Sequence, residues 1–113
     1  MKKYKAVLKI QKGYNSIEEL KTLETDDLQE GLCLLDEYAK KFDEDVIVVV
    51  NRDDYEYRVE QHCIDKDKEL NKYTIWVKRN SEDKKETLKS IFYLSLEKCK
   101  DFCLEYDRML MGQ

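Results

Sequence analysis

Val46 to Val50 is an unbroken run of four valines and one isoleucine, and it constrains this chain more than any other stretch. All five residues are β-branched, which favours a strand over a helix. The run is also too short for an ordinary helix, with Asp43, Glu44 and Asp45 before it and turn-forming residues after it. Beyond Asn51–Asp54 the pattern changes: Tyr55, Tyr57 and Val59 alternate with Glu56, Arg58 and Glu60, the period of a half-buried strand. Asn and Asp suit the intervening turn. With no Asn-Gly pair, a four-residue loop is expected. That loop sets Val50 opposite Tyr55, Val48 opposite Tyr57 and Val46 opposite Val59, all on one face. Ile47 and Val49 then face the other way, so the first strand is apolar on both sides and belongs mid-sheet.

Other segments take their places around this hairpin. Tyr4–Ile10 reads as an edge strand whose lysines discourage pairing with other chains. Ser16 with Glu19 resembles a capping box and predicts a short helix over Ile17–Leu23. Thr25 or Asp26 caps a longer helix over Asp27–Phe42, with Leu28, Leu32, Leu35, Ala39 and Phe42 as its stripe. Gly31 inside it costs about 1 kcal/mol relative to Ala, which close packing on the sheet would explain. His62–Lys72 reads as a charged connection, Tyr73–Arg79 and Glu86–Leu94 as strands, and Asn80–Lys85 as a loop. Ser95 caps a last helix over Leu96–Met111. Its stripe is Cys99, Phe102 or Cys103, Tyr106 and Leu110. Glu97, Lys98, Lys100, Asp101, Glu105 and Arg108 are assigned to water. The expectation is α+β: a single small domain over 1–113, with a mostly antiparallel four- to five-stranded sheet and two main helices packed on one face.

A chain of 113 residues buries about two thirds of its unfolded surface without help from metals or disulfides. The first residues lack the apolar core of a secretory signal, and no apolar run approaches a bilayer span. Four cysteines without framework spacing fit reduced thiols, so a cytoplasmic protein is expected. Net charge is −4 but uneven: +5 over residues 1–17, −10 over 18–60 and +3 over 66–89.

The motifs of known chemistry are missing or incomplete. Asp65, Asp67 and Glu69 alternate like the start of a calcium loop, but Leu70 replaces its glycine and Trp76 its bidentate Glu. His62, Cys63, Cys99 and Cys103 include no Cys-x-x-Cys pair and read as core and surface residues rather than zinc ligands. His62 and Cys63 are neighbours on a strand and point to opposite faces, so they make no nucleophile–base pair. Phosphate-binding glycine loops, zinc-protease helices and nucleophile elbows are not present. No catalytic residue, metal or cofactor is assigned.

The function expected is therefore a small acidic protein-binding module, not an enzyme. It would act as an inhibitor or antagonist of a partner with a basic surface, such as a nucleic-acid-handling or defence enzyme. The candidate contacts are Asp43, Glu44, Asp45, Asp53, Asp54 and Glu56, which would steer the encounter electrostatically. If the helices cover the Val46/Val48/Val50 face, the opposite face offers a second surface of Ile47, Val49, Trp76, Ile91 and Tyr93, with Trp76 and Tyr93 as anchors for a partner or a homodimer. Lys72, Lys78, Arg79, Lys84, Lys85 and Lys89, with Tyr73 and Trp76 among them, form an alternative nucleic-acid patch that the net charge disfavours. In size, charge and Lys/Glu/Asp-rich composition the chain resembles phage anti-defence proteins, anti-CRISPRs and toxin-immunity proteins. The element order is similar to that of double-stranded RNA-binding and cystatin-like domains, and neither resemblance assigns a function.

Overall fold

In the computed structural model the valine run lies inside a six-stranded antiparallel sheet. The structure describes residues 3–11, 16–38, 45–52, 55–81 and 84–111. In chain order the elements are β1 (Tyr4–Gln11), β2 (Ile17–Thr25), α1 (Leu28–Leu32), a 3₁₀ helix (Cys33–Tyr38), β3 (Asp45–Arg52), β4 (Tyr55–Asp65), β5 (Leu70–Ser81), β6 (Lys84–Tyr93) and α2 (Leu96–Met111). The strands lie side by side in the order β2-β1-β3-β4-β5-β6. The chain crosses over β1 once, between β2 and β3, and otherwise proceeds by hairpins.

Both helices lie on the face that carries Val46, Val48 and Val50. α1 packs on β1 and β3, and α2 on β5 and β6, and the two helices touch. Ala6, Leu8, Ile10, Tyr57, Val59, Ile75 and Val77 complete the sheet side of this core, with Leu28, Leu32, Leu34, Leu35, Cys99 and Cys103 above them. Among the described residues the other face carries no helix. Ile47 and Val49 are nevertheless only 1% and 7% exposed there. Their cross-strand neighbours on that face, Lys9 and Glu60 beside Ile47 and Arg58 beside Val49, are long enough to lay aliphatic stems over them.

Four sequence expectations are corrected. Residues 17–25 form a strand, not a helix, which raises the sheet to six strands and moves β1 from the edge to the interior. Opposite charges meet across this pairing, Lys5 with Glu24 and Lys9 with Glu19, and those cross-strand pairs outweigh the helix-like Ser16/Glu19 signal. The β3–β4 register is displaced by two residues: Val50 faces Tyr57, Val48 faces Val59 and Val46 faces Gln61. Arg52 belongs to β3, opposite Tyr55, because its side chain is drawn to the helix side by Asp107, and only residues 53–54 separate the strands. An even displacement keeps every side chain on its expected face. The 62–72 connection is mostly strand, with β4 reaching Asp65 and β5 starting at Leu70. Within its turn the Asp65 carboxylate accepts from the N–H groups of Asp67 and Lys68, and Glu69 takes a positive φ of 51°. Those contacts give the apparent calcium motif a turn-forming role.

The leading helix is also shorter than expected. Asp27 caps it by accepting from the Gln29 N–H at 3.0 Å, and regular α geometry lasts five residues before tightening to 3₁₀. Residues 39–44, including the predicted end of that helix, lie outside the described residues. α2 matches its expected limits, with the Ser95 hydroxyl accepting from Lys98 N–H at 3.5 Å.

Candidate binding surfaces

The strongest polar cluster is internal. Asp107 lies on α2 at four-residue spacing from Cys103 and eight from Cys99, so the helix turns it inward with them. Its Oδ1 accepts from Arg52 Nε at 3.1 Å and from the Tyr57 hydroxyl at 2.5 Å, and its Oδ2 accepts from the Tyr4 hydroxyl at 2.6 Å. Asp107 is 6% and Arg52 9% exposed. Burial, reinforced by the bond to Asp107, pushes both phenols well above their usual range. Burial opposes the Arg52 charge, but the adjoining carboxylate outweighs it and the net displacement is upward. With both carboxylate oxygens occupied, the cluster ties α2 to β1, β3 and β4. It borders a cleft of about 610 Å³ lined by Tyr4, Asp26, Asp27, Leu28, Gln29, Leu104, Arg108 and Met111. The sequence hint was a lone carboxylate on the apolar stripe of α2, and the expected stripe passed over it.

Lys100 is a second inward residue on α2, contrary to the expectation that it faces water. Its ammonium meets Glu97 at 2.9 Å and Asp36 at 3.2 Å, joining α2 to the 3₁₀ helix. Burial opposes its charge and the two carboxylates more than restore it, so its pKa is raised. Cys99 and Cys103 lie in the core, where burial pushes the Cys99 thiol up to about 12 and the Cys103 thiol further in the same direction. Neither is poised as a nucleophile or ligand.

Of the predicted acidic contacts only Asp45 and Glu56 are among the described residues, and they stand toward opposite ends of β3 and β4. Asp43, Glu44, Asp53 and Asp54 lie outside the described residues. Asp45 opens β3, and its carboxylate contacts His62 Nδ1 at 3.1 Å. Glu56 is only 6% exposed, near the opposite end of the sheet and across from Lys78. The carboxylates flanking His62, Asp45 at Nδ1 and Glu60 at Nε2 (3.4 Å), sit on opposite edges of its ring and cannot converge on one ion. Among the described residues no group of three or more His, Cys, Asp or Glu could hold a metal ion.

Exposed acid is dense elsewhere. β2, α1 and the 3₁₀ helix carry Glu18, Glu19, Glu24, Asp26, Asp27, Glu30, Asp36 and Glu37, all exposed, against one basic residue, Lys21. β2 is also an outer strand of the sheet. Part of this charge is met internally: Lys21 reaches Glu37 at 3.4 Å, and Lys100 reaches Asp36.

The helix-free face differs from the expected second surface. Trp76 is there and half-buried, but Ile91 and Tyr93 pair with Ile75 and Tyr73 and so face the helices. The Tyr93 ring packs 6.2 Å from that of Phe102 on α2. Phe92 takes its place on the open face, 59% exposed, with Lys72 Nζ 5.6 Å above its ring. The alternation in β6 was legible, but which face held which set depended on a β5–β6 register the sequence does not disclose.

No family model, curated protein or solved structure matches this chain. Among the described residues no helix is long and apolar enough to cross a membrane.

Proposed function

We propose that this protein is a small protein-binding module that presents an acidic edge, β2–α1–3₁₀, to a partner with a basic surface, and that it works as an antagonist by occupying that surface. One observation carries the reading: eight exposed carboxylates against a single lysine, gathered over residues 16–38 on one outer strand and the short helices beside it. A surface of this kind accelerates encounter with a cationic groove and discriminates against anionic partners. A nucleic-acid-handling or defence enzyme has a basic groove of this type, and the carboxylates would occupy positions that phosphates otherwise take. Asp45, in contact with His62, and Glu56, which lies below the surface, are not part of that edge.

The test removes exposed charge from the edge without setting like charges opposite each other. Glu24 lies opposite Lys5 and Glu19 opposite Lys9, so neither is reversed to lysine. The double variant is Glu30→Lys on exposed α1 with Glu19→Gln. Wild-type protein immobilised as bait should retain a defined basic partner from host extract at low salt and release it as salt rises. The double variant should lose that partner while keeping its circular dichroism spectrum. A retained set that is unchanged by both salt and charge reversal would refute the acidic edge.

A further inference from the structure

The β4–β6 side of the helix-free face has a chemistry opposite to that of the acidic edge. Trp76 faces Ser90 across β5–β6, and Phe92 stands two residues further along β6. That diagonal places the two aromatic residues about 7–8 Å apart by strand geometry. The residues between them, Thr74 and Ser90, are short. Cations surround the pair: Lys72 Nζ over the Phe92 ring, Arg58 directly across from Trp76, and Lys78 two residues along β5 on the same face. The carboxylates described on this part of the face are sunken. Glu56 and Glu60 are 6% and 9% exposed, and Glu60 is bound by Arg58 at 2.8 Å. Among the described residues, exposed Phe92 and half-buried Trp76, with Lys72 and Lys78 half-buried beside them, are therefore what this part of the face offers to solvent.

A ligand that uses both must carry flat stacking surfaces and repeated negative charge. Single-stranded nucleic acid does, whereas a duplex keeps its base faces stacked internally, and an acidic peptide engages the cations without the rings. The acidic edge is no obstacle. β2 and β5 are four strand spacings apart, about 19 Å, which exceeds two Debye lengths at physiological salt. We infer that this part of the sheet binds single-stranded nucleic acid without sequence preference, with two successive bases on Trp76 and Phe92 and phosphates near Lys72 and Lys78. This surface is separate from the acidic edge and does not depend on a protein partner.

Trp76 is the only tryptophan, so its fluorescence reports the site directly. The protein is titrated with oligothymidylate, with a DNA duplex of equal length, and with polyglutamate of equal charge, each at physiological salt, where the acidic edge is screened. Oligothymidylate should quench Trp76 with a saturating curve, and the duplex should bind more weakly. Phe92→Ala should lower the single-strand affinity by about tenfold, since one stacked base is lost. Lys72→Ala combined with Lys78→Ala should reduce the slope of log affinity against log salt by about 1.4, that is about 0.7 per phosphate contact. Phe92 is exposed, so the fold is expected to survive its truncation, and circular dichroism checks this. No quenching by oligothymidylate at physiological salt would overturn the inference. So would equal quenching by polyglutamate, which would make the face a general anion site, or an affinity unchanged by Phe92→Ala.

Discussion

Asp107 is the residue on which most depends. Three donors from three strands end on its carboxylate, Arg52 Nε among them at 3.1 Å. Asp107→Asn keeps the shape but removes the carboxylate that faces this buried guanidinium. Urea unfolding should show a loss of about 3 kcal/mol, at the low end for breaking one partner of a buried pair. Tyr57→Phe removes one hydrogen bond to the same carboxylate and should cost about 1–2 kcal/mol. Alkali tests the same residues. Tyr4, Tyr57 and Cys99 all have folded-state pKa values raised above their unfolded ones, Cys99 to about 12. The folded chain then holds more protons than the unfolded chain at high pH, so stability is full below the unfolded values and falls as pH rises past them. The urea midpoint should hold to about pH 8.5 and decline above it, as unfolded thiols and then phenols ionise. Tyr57→Phe should flatten the part of that decline above about pH 10; an unchanged slope there would show that Tyr57 ionisation is not linked to unfolding.

At the level of elements, α1 shows how a poor helix residue can be required. A Cβ on Gly31 would lie 3.2 Å from the Ala6 Cβ and 3.4 Å from a Val50 methyl. Ala6 has no side chain to turn aside, and its strand is paired on both sides. Gly31→Ala gains about 1 kcal/mol of helix propensity, and forced separation of α1 from β1 costs about 1–3 kcal/mol. The variant should unfold at lower urea than wild type, and a higher midpoint would mean that the interface gives way easily. The glycine's packing role was readable from its place on a stripe of leucines. The helix's early tightening to 3₁₀ was not, because burying both Leu34 and Leu35 is a demand of the sheet below. β2 failed for a related reason. Its own residues carry a capping signal and few inward apolar positions, and only pairing with the lysine-bearing β1 makes a strand of it. α2 was legible end to end since its cap, stripe and length agree, and only its two inward charged residues escaped notice.

Across the whole molecule, the charge asymmetry visible in sequence becomes spatial. Acid collects at the β2 side, and aromatic and cationic groups meet on the open face toward β6. The α+β class followed from the valine run and the two helical stripes, and the side that the helices take did not. The strand count, the β3–β4 register and the contents of the open face did not, since they depend on pairings between segments rather than on any segment alone. The Asp107 cluster has one more consequence, which concerns time. Its members are separated along the chain by 103, 55 and 50 residues. A ribosome releases Tyr4, Arg52 and Tyr57 long before Asp107, so the hairpins can zip while α2 is still being made. Until α2 arrives, Arg52 must stay hydrated and the apolar side of β5 and β6 beneath that helix stays open to water, so the nascent sheet is at its most adhesive in that interval.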